Sequence, residues 1–216
     1  MTRQETHLAP AADADGGDSV KARQILNGAR KVFMELGFDA ASMNDVAREA
    51  GVSKGTIYSY FSSKVDLFSA LIGEDTRLRA EQLAIYEGLK GPIEEALPRL
   101  GFALMDVILD PANVAQIRMV TAVAPRFPAI GAAFYEAGPD YGHRRLVAWL
   151  ARRAGVGDLE IEDFEMAAAQ FFNLIQGALF RKMLFAGQPK PPRGEIQATA
   201  EAAARVFLCA YGARRD

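Results

Sequence analysis

Hydrogen-bond donors are concentrated in one short segment of the chain, between residues 54 and 64. They are hydroxyl, phenol and ammonium groups, carried by Lys54, Thr56, Tyr58, Ser59, Tyr60 and Lys64. Side chains of these types hydrogen-bond to phosphate oxygens and to the edges of bases. Val52, Ile57 and Phe61 supply an apolar side that can pack against neighbours while the donors face outward. This is the composition of a helix that lies in a groove of DNA.

A short helix is predicted ahead of this segment. Ser42, followed three residues later by Asp45, forms a capping box in which each side chain pairs with a backbone N–H of the first turn. The helix should therefore begin at Met43. Gly51 stands where it should end, in a left-handed conformation that glycine adopts at low cost.

The turn between this helix and the donor-rich one comprises residues 51–53. Ser53 can cap the second helix by accepting a hydrogen bond from the backbone N–H of Gly55 or Thr56. Helical hairpins also occur in proteins that bind no nucleic acid, so a short helix pair alone is weak evidence of function.

A further helix should begin directly after the donor-rich segment. Ser63 with Asp66 repeats the capping pattern and places Lys64 in the first turn of this helix. A cation there opposes the helix dipole, and a phosphate contact would explain its position. We expect Lys54 and Lys64 to contact phosphates, which sets the register of a protein on DNA without reading the sequence.

The order of these residues resembles a known family. The run SMNDVAREAGVSKGTIYSYFSSK at 42–64, with Ile25–Phe33, Gly37 and the Leu67–Phe68 pair, resembles the DNA-binding domain of TetR/AcrR transcriptional regulators from about Ala22 to Leu71. The motif is long and ordered, so the resemblance is specific. It implies that the donor-rich helix is the recognition helix of a helix-turn-helix.

The resemblance assigns roles within the recognition helix. Gly55 would let the backbone approach DNA closely, and Thr56 and Tyr58 would donate to phosphates. Ser59 and Tyr60 are the candidates for contacts with bases. An alternative for Tyr58 stays open, because an aromatic residue at this spacing can pack in the core with only its hydroxyl reaching out.

Two residues of the preceding helix complete the candidate DNA-binding set. Asn44 matches a position that contacts a base in some relatives, and an amide suits adenine through its paired donor and acceptor. Alternatively, Asn44 is a solvent-facing residue in a capped first turn. Ser42, which precedes the same helix, is the second of these candidate DNA-binding residues.

Charge is distributed unevenly along the 216 residues. The whole chain has a net charge of −2, whereas residues 20–64 carry seven Lys or Arg against four acidic residues. A mildly basic region on an acidic body suits a protein that presents one end to DNA. We predict a disordered tail at 1–19, a helix-turn-helix domain at 20–66 and a regulatory domain at 67–216.

Several other classes of protein are disfavoured. Cys209 is the only cysteine, which predicts no internal disulfide and a reducing cytoplasm. His7 and His143 are the only histidines, so we expect no zinc site. The tail has no signal-peptide pattern. The apolar runs are broken by charges, Pro or Gly before they are long enough to span a membrane, so we expect no membrane as a partner. No catalytic motif is present, and we expect neither an enzyme nor a cofactor.

Beyond Leu71 the sequence has helical periodicity and almost no strand signal. Helices are predicted over 64–87, 92–109, 111–124, 127–136, 140–154, 161–185 and 193–211. This predicts an all-α protein. The resemblance adds the arrangement: a three-helix DNA-binding domain followed by a larger helical domain that binds a ligand and dimerises. Residues 116–139 resemble the C-terminal domain of the AefR-like branch.

Two long amphipathic stretches, 163–185 and 194–212, are rich in Ala, Phe and Leu and flank the connector GQPKPP. Small residues let helices approach closely, so two copies of the chain could form a four-helix bundle between subunits. A repressor that reads two half-sites needs such twofold symmetry. Alternatively, both helices bury their apolar faces within one subunit.

The predicted ligand site is an apolar cavity in the larger domain. Its candidate walls are Phe102, Met105, Met119, Phe127, Phe134, Tyr135, Tyr141, Trp149 and Phe172, and its candidate polar contacts are Arg118, Asn173 and Gln176. Aromatic residues at helical spacing also form ordinary cores, and this alternative stays open for each of them. The family leads us to expect a hydrophobic or aromatic small molecule, without identifying it.

These features together predict a transcriptional regulator, with repression favoured over activation. It would bind a palindromic operator as a homodimer and be released by a small molecule. The alternative is a helical protein that binds a small molecule and has no DNA-binding activity.

Overall fold

The computed structural model describes residues 16–83 and 88–213, and this part of the chain is helical. The helices are α1 (Gly16–Ala40), α2 (Met43–Ala50), α3 (Lys54–Tyr60), α4 (Lys64–Leu83), α5 (Ile93–Ile108), α6 (Pro111–Val123), α7 (Pro128–Tyr135), α8 (Tyr141–Gly155), α9 (Phe164–Ala186) and α10 (Arg193–Tyr211). A single β-bridge pairs Leu159 with Gly212 within the described ranges. The all-α prediction is confirmed.

Most predicted helix ends agree with the structure within one or two residues, and the predicted end at residue 87 lies outside the described residues. α9 begins three residues late, because the Asp163 carboxylate accepts a hydrogen bond from the backbone N–H of Met166 at 2.9 Å and thereby caps the helix. The predicted tail at 1–19 lies mainly outside the described residues. Its last four residues belong to α1, which begins at Gly16.

The chain divides into two compact units, residues 1–67 and 68–216. We call them the N-terminal unit and the C-terminal unit. Helix α4 begins in the first unit and continues into the second. The division falls one residue from the proposed domain boundary after residue 66.

In the N-terminal unit, α1 and α2 approach closely at Gly28. A Cβ atom at this position would lie 2.7 Å from Ala50 Cβ and 2.8 Å from Ala50 N. Two polar contacts fix the same pair of helices: Gln24 donates to Ala50 O at 2.7 Å, and Lys31 pairs with Glu49 at 2.8 Å. The helix-turn-helix is therefore held to α1 by a contact that has no room for a side chain.

In the C-terminal unit, α5 packs against α9 and α10 through small residues. A Cβ atom on Gly101 would lie 3.3 Å from both Phe171 and Ile175 and 3.4 Å from Ala200. Large side chains fill the space around this contact, among them Trp149, Leu97, Met105, Phe171 and Phe207. Phe171 and Phe207 pack edge to face with ring centroids 5.3 Å apart.

The predicted break between α7 and α8 is wrong. A π-helical turn, Glu136–Asp140, joins the two helices directly. Pro139 cannot donate an N–H to the fourth residue before it, and a wider turn accommodates the ring without ending the helix. A second irregularity, which the sequence did not predict, lies within α9 at Gly177, whose φ of 44° and ψ of −138° are non-helical.

We predict that Gly28→Ala destabilises the N-terminal unit by about 1–3 kcal/mol, because the added methyl group overpacks a contact made partly of backbone. Urea unfolding followed by circular dichroism measures this change.

Gly73→Ala is the matched control. Gly73 also lies in a helix, but no described atom stands within 4 Å of a Cβ atom there. Its replacement should be neutral or stabilising by up to about 1 kcal/mol. Equal unfolding midpoints for the two variants would contradict the close packing at Gly28.

Candidate nucleic-acid interface and ligand cavity

The capping box at the start of α2 has the predicted geometry. The Ser42 hydroxyl accepts the backbone N–H of Asp45 at 3.2 Å, and the Asp45 carboxylate accepts the N–H of Ser42 at 3.1 Å. The hydrogen bond from the Ser42 side chain lowers the pKa of the Asp45 carboxyl from its usual value. A lowered pKa means that the cap stabilises the helix at neutral pH and weakens as the carboxyl is protonated in acid.

The turn into α3 also follows the prediction. Gly51 is left-handed, with φ 64° and ψ 38°, and ends α2. Ser53 then accepts the backbone N–H of Thr56 at 3.0 Å and caps α3. Ile57 is fully buried, so α3 is anchored by one apolar side chain at its centre.

The opposite side of α3 carries the predicted donors. Lys54, Tyr58 and Ser59 are exposed, while Thr56 and Tyr60 are half-buried. The alternative that placed Tyr58 in the core is wrong, because 46% of this residue is exposed. The ammonium of Lys54 lies 5.9 Å from the ring centroid of Tyr58, so these two side chains cover one patch at the start of the helix.

The hydroxyl groups of α3 make local hydrogen bonds. Thr56 Oγ1 lies 2.8 Å from Ser53 Oγ, and Ser59 Oγ donates to Thr56 O at 2.7 Å. Each hydroxyl keeps acceptor capacity and can rotate to a new partner. Asn44 is exposed in the first turn of α2, so its contact with a base stays a prediction.

Lys64 has hydrogen-bond partners within the protein, and its phosphate contact stays a prediction. Its ammonium donates to three backbone carbonyls at the end of α1: Phe38 O at 2.8 Å, Ala41 O at 3.0 Å and Asp39 O at 3.3 Å. It also lies 4.6 Å from the ring centroid of Phe38. Gly37 breaks α1, with φ 75° and ψ 168°, and leaves these carbonyls in the short segment after the break. The hydrogen bonds that Lys64 donates to them explain a cation in the first turn of α4. A phosphate contact would require Lys64 to give up these bonds.

Ser63 follows the prediction in part. Its hydroxyl accepts the backbone N–H of Asp66 at 3.1 Å and caps α4. The Asp66 carboxylate accepts a hydrogen bond from the hydroxyl of Ser62. The cap therefore uses two adjacent serines.

The C-terminal unit contains a cavity of about 470 Å³. Its walls come from α4 to α9 and from the π-helical turn. The apolar lining is Leu104, Val107, Ile108, Ile117, Phe134, Tyr135, Pro139, Ala169, Phe172 and Phe180, with Gly138 and Gly142. The polar lining is Thr76, Arg79, Asn113, His143, Asn173 and Gln176.

Five of the candidate ligand residues line this cavity: Phe134, Tyr135, Phe172, Asn173 and Gln176. The other candidates are not among the residues that line this cavity. These are Phe102, Met105, Arg118, Met119, Phe127, Tyr141 and Trp149. Helical spacing shows which residues share a face, but it does not show whether that face meets a cavity or a packed neighbour.

The residues outside the cavity have other contacts. Trp149 and Met105 are fully buried members of the core, as the alternative allowed. Arg118 donates to the carbonyls of Met183 and Leu184 near the end of α9, and the second bond is 2.9 Å long. It therefore caps a helix.

Sequence reasoning missed Thr76, Arg79, Asn113 and His143, which are polar residues in helices. In the sequence, polar residues of a helix that line a cavity cannot be told from polar residues that face solvent. The structure shows that Gln116 in α6 is only 3% exposed and that it binds two residues of α4. Its side chain accepts a hydrogen bond from Arg79 and donates to Ile72 O at 3.5 Å.

Comparison with known families agrees with this geometry. Residues 25–71 match the model described as bacterial regulatory proteins, tetR family. Residues 95–213, more than half of the chain, match the model described as the C-terminal domain of AefR-like transcriptional repressors.

The chain belongs to the TetR family.

Individual relatives of this TetR-family regulator cover different parts of it. A helix-turn-helix transcriptional repressor of Mycobacterium tuberculosis is 40% identical over 79 residues, which are 37% of this chain and 42% of that protein. The chain thus matches less than two thirds of the length of the curated relatives. Members of the family are DNA-binding transcriptional regulators and not enzymes.

Solved structures match the TetR-family regulator over nearly its whole length. A TetR-family transcriptional regulator of Mesorhizobium loti has a TM-score of 0.86 at 25% identity and covers 92% of this chain and 100% of its own. The flavonoid-responsive regulator FrrA has a TM-score of 0.74 at 32% identity and covers 91% of this chain and 100% of its own.

The part of the TetR-family chain that the structure describes offers no metal site, because no group of three or more His, Cys, Asp or Glu residues there could hold an ion. No single helix in the same ranges is long and apolar enough to cross a membrane. The bent pair of α5 and α6 meets that criterion by length and composition only when the two are taken together.

We predict opposite effects for two lysines. Lys54→Ala should leave the melting temperature unchanged and lower the salt dependence of binding to random duplex DNA, by a slope of about 0.9 for each phosphate that the protein no longer neutralises. Lys64→Ala should lower stability by about 1–3 kcal/mol, because it removes charged hydrogen bonds to the end of α1.

Thermal melting and fluorescence anisotropy over a salt series measure both effects. Each lysine variant serves as the control for the other. If the Lys64→Ala protein melts normally but shows the reduced salt slope, Lys64 contacts a phosphate and its hydrogen bonds within the protein contribute little to stability.

Proposed function

We propose that this regulator represses transcription by binding a palindromic operator as a homodimer, and that a small molecule entering the cavity releases it. The observation that carries the proposal is α3, a helix capped by Ser53 and anchored by Ile57 that presents Lys54, Tyr58 and Ser59 outward. Residues of these types suit phosphates and base edges. We assign Thr56, Tyr58 and Lys54 to phosphates and Ser59, Tyr60 and Asn44 to bases.

Gly55 supports a close approach of DNA. It is exposed in the first turn of α3, where glycine is less favourable than alanine by roughly 0.5–1 kcal/mol. Within the described part of the protein, a Cβ atom at Gly55 would meet only Ser53 Oγ, at an ordinary 3.6 Å. The packing of the N-terminal unit therefore does not require a glycine here. A DNA backbone lying against this turn would explain it.

We predict that Tyr60→Ala weakens binding to the operator by about 1–3 kcal/mol more than binding to random DNA, as expected when a base loses its partner. The matched control is Tyr58→Ala, which should weaken both DNAs equally because phosphates carry no sequence information. Electrophoretic shifts with the DNA upstream of the chain's own gene and with a scrambled duplex measure both.

If Tyr60→Ala melts normally and loses the same binding free energy on both DNAs, Tyr60 does not read a base. A wild-type protein that shifts neither DNA would contradict the proposal. That result would favour the alternative of a small-molecule-binding protein without DNA-binding activity.

The outer faces of α9 and α10 support the homodimer. The inner face of α10, with Ile196, Ala200 and Phe207, is buried within the subunit. Its outer face exposes the small or apolar residues Ala198, Ala202, Val206 and Cys209. On α9, Met166 and Phe185 are 53% and 79% exposed. Thus α10 has one face for its own core and a second face of small and apolar residues that another subunit could cover, and α9 adds two exposed apolar side chains.

We predict that Ala202→Arg converts the dimer to a monomer, because a bulky cation would stand on the face where the small residues allow close approach. Sedimentation velocity at micromolar concentration measures the assembly. Ala151→Arg, the same change at an exposed position of α8, should remain a dimer. A dimeric Ala202→Arg protein would place the interface elsewhere.

The cavity supports release by an effector. FrrA, 32% identical to this chain, is described as flavonoid-responsive, and we propose an aromatic small molecule here as well. Such an effector must bind the released conformation better than the DNA-bound one, because equal affinity shifts nothing. Operator and effector would then weaken each other by the same factor.

A further inference from the structure

One polar group in the cavity wall has no partner among the described residues. Thr76 lines the cavity and is 6% exposed, and its Oγ1 atom is buried without a hydrogen bond. A threonine in a helix can bond to the carbonyl one turn earlier, but Ile72 O accepts the Gln116 amide at 3.5 Å. A buried hydroxyl without a partner is unfavourable, and such a group calls for an explanation.

The π-helical turn covers this threonine. A Cβ atom on Gly138 would lie 2.5 Å from Thr76 Cγ2, so only glycine fits over it. Gly138 and the next residue, Pro139, also line the cavity. Turns of this kind are frequent at functional sites. Thr76 therefore lies at the cavity wall, beneath an irregular turn.

Arg79 lies on the same face of α4, three residues after Thr76. Its guanidinium donates to Gln116 Oε1, and Gln116 is itself buried and bonded to the backbone of α4. Arg79 is thus held at the cavity by a fixed partner. A guanidinium has five N–H donors in a planar fork, so it can bind Gln116 and a ligand oxygen at the same time.

The charges of the lining select the sign of a ligand. Among the described residues that line the cavity there is no Asp or Glu, and Arg79 is the one with a permanent charge. His143 also lines the cavity, and its Nε2 lies 2.7 Å from a Glu165 carboxylate oxygen. A cationic ligand would be buried near Arg79 without a carboxylate in the lining, which is unfavourable. An anionic oxygen would receive charge-assisted hydrogen bonds.

The rest of the cavity suits an aromatic body. Phe134, Phe172 and Phe180 contribute ring surfaces, and aliphatic side chains of α5 and α6 complete the wall. A volume of about 470 Å³ is within the range of sites for small organic ligands.

We propose that the effector is an aromatic acid, a carboxylate or an acidic phenol, whose oxygen is bound by Thr76 and Arg79 and whose ring lies among the phenylalanines. This inference rests on the proposed function, in which the cavity holds the effector. It adds the charge and the orientation of the ligand.

The experiment uses three probes that share one aromatic body: naphthoate, naphthol and naphthylmethylamine. Isothermal titration of the full chain should show naphthoate binding at least about tenfold more tightly than the amine, the ratio for one charged hydrogen bond gained. Arg79→Gln should remove most of this preference while leaving naphthol within about threefold. Arg79→Lys, which keeps the charge, should restore part of the naphthoate affinity.

Two further variants sharpen the result. Thr76→Val is nearly isosteric and should weaken naphthoate, since the hydroxyl is removed without a change in shape. Arg152→Gln makes the same charge change at an exposed position of α8 and should alter nothing. Melting curves establish that each variant is folded.

The proposal is overturned if the amine binds as tightly as naphthoate, if folded Arg79→Gln keeps full naphthoate affinity, or if none of the probes binds at millimolar concentration. Operator binding is measured on the same preparations. A protein that binds naphthoate through Arg79 but shifts no DNA would contradict the proposed function and leave this inference standing. The reverse result would contradict only the inference.

Discussion

The bonds between the Lys64 ammonium and the segment that ends α1 are the interaction that fixes the start of α4 in the N-terminal unit. The three carbonyls it binds, of Phe38, Asp39 and Ala41, lie between the break in α1 at Gly37 and the start of α2. The same lysine begins α4, and Thr76 and Arg79 lie further along that helix in the cavity wall. Helix α4 thus contains both Lys64, which binds the segment at the end of α1, and the two polar residues that we propose bind the effector. A polar residue that served only DNA would leave the end of α1 unsatisfied.

Magnitudes limit what the polar contact can do alone. Moving an equilibrium from one per cent to ninety-nine per cent released requires about 5.5 kcal/mol of differential affinity. A hydrogen bond to a charged group contributes about 1.5–3 kcal/mol. The acid group would therefore orient the effector and, if its hydrogen bond forms only in the released conformation, supply about a quarter to a half of the required difference. The remainder has to come from apolar contacts that improve in the released conformation, where the aromatic walls are the available surface.

The sequence predicted what depends on neighbours in the chain and missed what depends on distant partners. The caps by Ser42, Ser53 and Ser63 were predictable, because each bonds within three residues. The role of Lys64 was not, because its partners lie more than twenty residues earlier. Phe172 and Trp149 are both aromatic residues on the apolar side of a helix, yet Phe172 lines the cavity and Trp149 lies in the core. Likewise, Gly138 and Pro139 indicated a break, but the chain accommodates Pro139 in a π-helical turn and continues as a helix.

Hydroxyl-radical footprinting of the DNA upstream of the chain's own gene tests the central claim most directly. The account predicts two protected segments related by a dyad, with centres about 34–36 Å apart, one helical turn of about 10–10.5 base pairs, or a multiple of it. Protection should appear at protein concentrations that leave scrambled DNA unprotected. Uniform protection of all sequences, or a single protected segment without a symmetric partner, would contradict an operator-binding dimer that reads sequence through α3.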